Sequence, residues 1–411
     1  MGELDAVTGE IVRSALEVAV EEASLVVVRA SHSTFIQEGA DACCALLDAS
    51  GRLVAQSAGT TLMHGSSLRC SLPSLLEDIP IESMRAGELF ALNDPYRGGI
   101  HANDIIVFRP IFDGDRVAWF AGTLIHVADV GGVAAAGLAA LATDTFLEGL
   151  LLPPVRLDDT VLRIIARNSR MPAMVTGDVH ALMAGVNVLA RRVEALQELH
   201  GPERVLEVVD QALASTERRM RDELRRLAPG TYHGSFTVDG DGLVADRTFD
   251  VVVTATVGDG EVVLDLTGTS AQALGAVNSS YSQTLSGVIY AVRTFVDPSI
   301  PMDEGCFVPV RVVLPPGTLV NPAPPAACGG RLVTVTAVVD AIVAALAGAR
   351  PERAVAASGL LHVYAMNGTH DDGRDWLSLF YEYGGIGARV GSDGPDATGP
   401  YFLGGRSVIP R

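Results

Sequence analysis

Two histidines and an aspartate define the chemistry open to this chain. They stand in the segments NDPYRGGIHANDIIVFRPIF (93–112) and WFAGTLIHVADVGG (119–132), as His101, Asp104 and His126. Residues 105–112 are an apolar run broken by one arginine, Asp113-Gly114-Asp115 supplies turn chemistry, and 116–125 returns as a second apolar run. The pattern predicts one β-hairpin folded about Gly114. His101 and His126 then come within about one residue of facing each other, where Cβ atoms lie roughly 4.5–5.5 Å apart. Two imidazoles at that separation can share a metal ion, and Asp104 is near enough to add an oxygen. Two neutral nitrogens and one carboxylate leave positions open for water or substrate, a set that suits Mn, Fe(II), Co or Zn better than Ca or Mg. The absence of cysteine argues against a closed structural zinc site. In a regular strand His101 and Asp104 would point to opposite faces, so His101 is expected in a turn opened by Gly98-Gly99. The plain alternative is three polar residues at strand ends, with Asp104 capping a turn. Their convergence on one end of one hairpin favours the metal.

The elements that must position these residues read as an α+β, multi-domain fold of antiparallel hairpins and long packing helices. Helical periodicity runs over 6–30, and a hairpin is expected from 43–47 and 52–56 around a turn at 48–51. A loop leads into a helix over 62–77. Residues 134–143, rich in Ala and Gly, predict a mobile surface loop or a short helix over the site. A helix over 177–199 stops near His200-Gly201, and Pro202 opens another that runs to about Leu227. The charges of that second helix (Arg218, Arg219, Asp222 and Arg225 among them) form a solvated face or a partner surface. A composition shift at Gly230 places a boundary between an N-terminal metal-site domain, 1–230, and a C-terminal strand-rich domain, 231–411. There, strands are expected at 231–238, 248–257, 261–266 and 308–314, with helices at 286–296 and 334–347. Asp239-Gly240-Asp241-Gly242 lacks the remaining ligands of a calcium loop and reads as a turn.

Composition narrows the class. A formal charge of −19 opposes binding to phosphate backbones, which excludes nucleic acid as an expected partner. MGELDAVTGE has no basic-then-apolar leader order, and no apolar run reaches spanning length uninterrupted, so a cytoplasmic protein without membrane contact is expected. Five cysteines suit a reducing compartment. Cys43 and Cys44 read as buried thiols, and Cys306 and Cys328 have no neighbouring base that would make them nucleophiles. No GxxxxGK[ST] phosphate loop occurs. Asp129 and Asp94 are the carboxylates best placed to accept a ligating histidine's free N–H. Asp129 could instead be a fourth ligand, or cap the Gly131-Gly132 turn. Glu38 and Asp41 could act together as a general base, or form an ordinary surface pair.

The two histidine-bearing segments resemble the hydantoinase B/oxoprolinase family, which includes the large subunits of acetone and acetophenone carboxylases. Its NDPYxGGxHxxD block is matched by Asn93 to Asp104, and its HxADxGG block by His126 to Gly132. Further blocks follow in order: DACCALLDASGRLVAQ at 41–56, MHGSSL around His64, EGLLLPPVRL at 148–157, NSRMP to GDVHAL at 168–182, GAVNSSYSQT at 275–284, GTLVNPAPPAACGG at 317–330 and YEYGGIGARVGSDG at 381–394. The sequence departs from the pattern at Val127, where many relatives carry a second histidine. It also ends at Arg411, where relatives continue through a further region. The resemblance implies that His101, Asp104 and His126 are the metal ligands. It implies that His64 reaches substrate, although on residue type alone His64 is a satisfied core histidine. Asn278 and Gly329-Gly330 are expected to shape the backbone that closes the pocket. The implied function is the metal-bearing subunit of an ATP-dependent cyclic-amide hydrolase of the hydantoinase or 5-oxoprolinase type. ATP would be used by a hydantoinase A-like partner subunit, and a separate chain could supply the further C-terminal region. The rival expectations are a subunit of an ATP-dependent ketone carboxylase and a non-catalytic assembly subunit.

Overall fold

The structure, a computed structural model, describes residues 6–37, 39–58, 64–356, 361–373, 375–383 and 387–394. Glu38, and with it the expected Glu38–Asp41 pair, lies outside the described residues, as do Gly384-Gly385 and the segment 395–411. The chain begins with α1 (Ala6–Ala30) and the single turn α2 (Thr34–Gln37). Then come β1 (Ala42–Asp48), β2 (Leu53–Gln56), α3 (Gly65–Asp78), β3 (Phe90–Leu92), β4 (Asp104–Asp113), β5 (Arg116–His126) and β6 (Val155–Arg156). These strands form one antiparallel sheet in the order β2-β1-β5-β4-β3-β6. Its centre is the expected hairpin. Asp113 pairs with Arg116, so the loop is Gly114-Asp115, and Gly114 at φ +59° takes the left-handed position such a tight loop needs.

The continuous apolar character of β4 and β5 follows from cover on both faces. Successive side chains alternate sides, and away from the turn both sides are almost wholly buried. Ile105, Val107, Trp119 and Ile125 join Val20, Val27, Leu182 and Leu189 in one cluster. Ile106, Phe108, Phe120 and Leu124 join Leu68 and Leu72 in the other. The first cluster is built on α1 and on α5 (Pro172–His200), which follows α4 (Asp159–Asn168). α5 begins earlier than expected because Pro172 occupies the first helical position, where a missing N–H costs nothing. Among the described residues it is the one helix long and apolar enough to cross a membrane, and over half of its apolar window is buried within the fold. Gly201 (φ +83°) ends it, and Pro202 opens α6 (Pro202–Leu224).

A second sheet starts at Gly230, where the composition shifts. It contains β7 (Gly230–Val238), β8 (Phe249–Gly258), β9 (Glu261–Asp265) and, after α7 (Tyr281–Arg293) and the short α8 (Glu304–Phe307), β10 (Val310–Val313), in the order β10-β9-β8-β7. α9 (Leu332–Ala347) packs on it, and the hairpin of β11 (Leu361–Thr369) and β12 (Asp375–Tyr383) follows. The two sheets share one apolar cluster, which runs from Leu47 and Phe108 to Val253 and Ala341. The architecture is α+β, with antiparallel hairpins and long packing helices.

Two positions test this packing. A Cβ on Gly234 would lie 2.1 Å from the Ala341 carbonyl oxygen, whereas one on Gly258 meets nothing within 4 Å. Gly234→Ala should therefore lower the denaturant midpoint by the equivalent of about 1–3 kcal/mol, with Gly258→Ala near neutral. Asp303, buried at the junction of α6 and α8, accepts hydrogen bonds from Thr216 Oγ1 (2.7 Å) and Gly305 N–H (2.8 Å). Burial outweighs those bonds and pushes its carboxyl up to about 7. A raised acid disfavours the folded state as it ionises, so its penalty grows as pH rises from about 4 through 7. Asp303→Asn should gain stability relative to the wild type across that window, measured as the difference in unfolding free energy at pH 4 and pH 8.

Candidate metal centre

Strand register and one turn bring the three candidate ligands together. Asp104 and His126 pair directly across β4 and β5. His101 lies before the strand, in a turn closed by the Asp104 N–H on the His101 carbonyl (3.0 Å). The expected facing of His101 and His126 is thus shifted by the turn: Asp104 faces His126, and His101 reaches the same point from outside the ladder. Asn93 holds that turn, donating to the carbonyls of Ala102 (2.5 Å) and Leu150 (2.8 Å) and accepting from the Leu152 N–H (2.6 Å). At the hairpin mouth, the Val127 N–H donates to the Asn103 carbonyl and the Asn103 amide donates back to the Val127 carbonyl.

The resulting triangle is tight. His101 Nε2 and His126 Nδ1 are 3.1 Å apart, and each is 3.3 Å from Asp104 Oδ1. Ligands about 2.1 Å from one ion stand roughly 3.0 Å apart at octahedral angles and roughly 3.4 Å at tetrahedral ones. The three atoms therefore fit one face of a single ion's coordination shell. The Asp104 side chain is 0 % exposed and neither oxygen receives a well-directed hydrogen bond, an arrangement that costs free energy unless a cation completes it.

Electrostatics suit the same role. Burial, reinforced by the nearby Arg331 guanidinium, pushes the His101 imidazole down to about 3, so at neutral pH it offers a lone pair rather than a proton. Burial opposes the Asp104 charge and the positive Arg331 guanidinium favours it, with the carboxyl held well below its usual range. Arg331 Nη2 lies 3.5 Å from Asp104 Oδ2. Sequence reasoning missed this residue: it belongs to the far half of the chain, and its one signal was the adjoining Gly329-Gly330.

The other candidate residues sit around this centre in different roles. The Asp129 carboxylate accepts from Arg170, at Nη1 (2.7 Å) and at the backbone N–H (2.5 Å), and not from His126. The same guanidinium donates to the carbonyls of Gly131 and Gly132. Asp129 thus organises the turn through Arg170 and stands outside the ligand triangle. Asp94 caps the following turn by accepting the Tyr96 N–H (2.8 Å) and makes no hydrogen bond to either histidine ring. His64 is buried at the start of α3, 3.5 Å from Asp41 Oδ1, and the Asp41 carbonyl accepts the His126 N–H (3.4 Å). His64 therefore flanks the centre across Asp41. Asn278 ties its own loop to the Ala327 carbonyl (3.0 Å). Residues 134–143 hold the short helix of the two expectations, a 3₁₀ turn at Ala135–Gly137, and are packed on one side only: Ala139 and Ala142 are buried with Ala276 and Ala327, whereas Leu141 is exposed. All five cysteines are free, and burial pushes their thiols up, Cys43 to about 12 and Cys70 to about 11. A cleft of about 470 Å³, lined by Arg69, Tyr96, Tyr281 and Glu304 among others, borders the Asn93–Gly99 turn without reaching the three ligands.

The chain belongs to the hydantoinase B/oxoprolinase family, whose model matches residues 5–410. An uncharacterized protein of Methanocaldococcus jannaschii is 29% identical over 93% of this chain and 68% of its own length. The caprolactamase subunit beta of Pseudomonas jessenii is 28% identical over 97% of this chain and 70% of its own length. The crystal structure of ATP-dependent caprolactamase from that organism superposes with a TM-score of 0.86 at 26% identity, over 98% of this chain and 71% of the other. Nucleotide-free acetone carboxylase, at 20% identity and TM-score 0.84 over 97% of this chain and 56% of the other, shares the fold.

The placement of Asp129 predicts that Asp129→Asn keeps the metal content of the wild type while costing about 1–3 kcal/mol of stability, through the lost partner of Arg170 and its backbone N–H. Elemental analysis and chemical denaturation of the same preparation check both halves of that statement.

Proposed function

We propose that this chain is the metal-bearing subunit of an ATP-dependent cyclic-amide hydrolase, working with a hydantoinase A-like ATP-binding partner. The observation that carries the reading is the buried triangle of His101 Nε2, Asp104 Oδ1 and His126 Nδ1. A divalent ion held there would supply Lewis acidity toward a carbonyl or a water. His101 contributes a neutral nitrogen, Asp104 a charge already balanced by Arg331, and His126 the nitrogen that the β4–β5 register aims at both. The caprolactamase relationship supports the cyclic-amide substrate class, since a lactam is a cyclic amide. No phosphate loop occurs in the chain, so activation by ATP falls to the partner.

The test has two stages. Purified protein should carry Mn, Fe, Co or Zn near one equivalent by elemental mass spectrometry, and His126→Ala and His101→Ala should lose it. The loaded chain, combined with an ATP-binding partner, should open a cyclic amide such as hydantoin or 5-oxoproline with ATP consumed. Turnover that requires bicarbonate and a ketone would identify a carboxylase instead. A protein that stays metal-free after reconstitution would point to an assembly subunit.

A further inference from the structure

We propose that Arg331 is a positioning residue for Asp104, delivered to the metal centre by a strap, 323–331, from the second half of the chain. The inference rests on the metal reading above. Its starting point is that Asp104 cannot orient itself. The torsion that turns a carboxylate is broad and nearly two-fold, and no backbone N–H fixes either oxygen. Of the groups around it, the two imidazoles approach Oδ1, and the Arg331 guanidinium approaches Oδ2 at 3.5 Å. Pairing Oδ2 with a fixed cation leaves Oδ1 as the oxygen turned to the imidazoles.

The strap is built to hold that cation in place. The Glu148 carboxylate accepts the N–H groups of Cys328 (3.1 Å) and Gly329 (2.5 Å). Tyr96 Oη donates to the Ala326 carbonyl (2.5 Å), and Gly330 N–H donates to the Ala276 carbonyl (2.8 Å). A Cβ on Gly329 would lie 2.8 Å from the Gly137 carbonyl oxygen, so the strap runs against the 134–143 segment at a distance only glycine allows. Arg331 then folds back, with Nη1 donating to the Gly329 carbonyl (3.1 Å) and its side chain 9 % exposed. A buried cation beside a divalent-ion site opposes the ion by charge alone. Charge and orientation therefore predict opposite signs when Arg331 is replaced.

The experiment measures the dissociation constants of Mn²⁺ and Zn²⁺ for the full chain, by competition with a chromophoric chelator. The proteins are the wild type, Arg331→Met, Arg331→Lys and Glu148→Gln, each checked for folding by thermal unfolding. Orientation predicts binding weakened about 10–100-fold in Arg331→Met, the usual effect of losing a partner that orients a ligand. Arg331→Lys should be less affected, and Glu148→Gln should weaken binding by loosening the strap. Binding as tight as wild type or tighter in Arg331→Met overturns the proposal, because the guanidinium would then act as a repelling charge only. If Arg331→Met does not fold, Glu148→Gln decides: weaker binding supports the proposal, unchanged or tighter binding overturns it. A wild type that takes up neither ion defeats the metal reading itself, whereas equal binding by wild type and variants defeats this inference alone.

Discussion

A carboxylate buried at 0 % exposure, with neither oxygen in a well-directed hydrogen bond, can persist only if positive charge is brought to it. Asp104 is that carboxylate, and much of the surrounding fold serves its neighbourhood. The β4–β5 register fixes His126 opposite it. Asn93 pins the turn that brings His101 back toward it. The 323–331 strap carries Arg331 to its far oxygen. Each comes from a different stretch of chain, and each stretch has its backbone tied down: by the strand register for His126, by the Asn93 amide for His101, and by Glu148 and Tyr96 for Arg331. Side chains supported this way have their geometry fixed in advance of any ligand.

The central sheet explains why such a site can exist at the end of a hairpin. α1 and α5 cover one face of β4 and β5, and α3 with part of the second half's core covers the other. Water is excluded from both faces, so polar groups at the strand ends sit in a poorly screened medium and act strongly on one another. The same exclusion pushes the His101 imidazole down to about 3.

Much of this was legible in the sequence. The hairpin was readable because Gly114 between two apolar runs is local turn chemistry, and the turn position of His101 followed from the impossibility of pointing it with Asp104 from one strand. Long helices are readable from periodicity, although α5 starts ahead of its periodic stretch because Pro172 opens it. What stayed hidden depends on contacts distant in sequence. Asp129 meets Arg170 only because α5 begins where it does. The two-residue strand β6 and the three-residue strand β3 carry too few residues to show a period. Arg331 and Glu148 are single polar residues whose roles come from the docking of two halves, which no spacing encodes.

That docking carries a cost in chain closure. A hairpin closed by a two-residue loop forms in about 1–10 μs once its chain is free, and it already places Asp104 against His126. The strap reaches the same point only after the whole intervening chain has been looped back, a far costlier closure. In the folded chain the strap is thus the cover on the Oδ2 side of Asp104, and the imidazoles stand on the other.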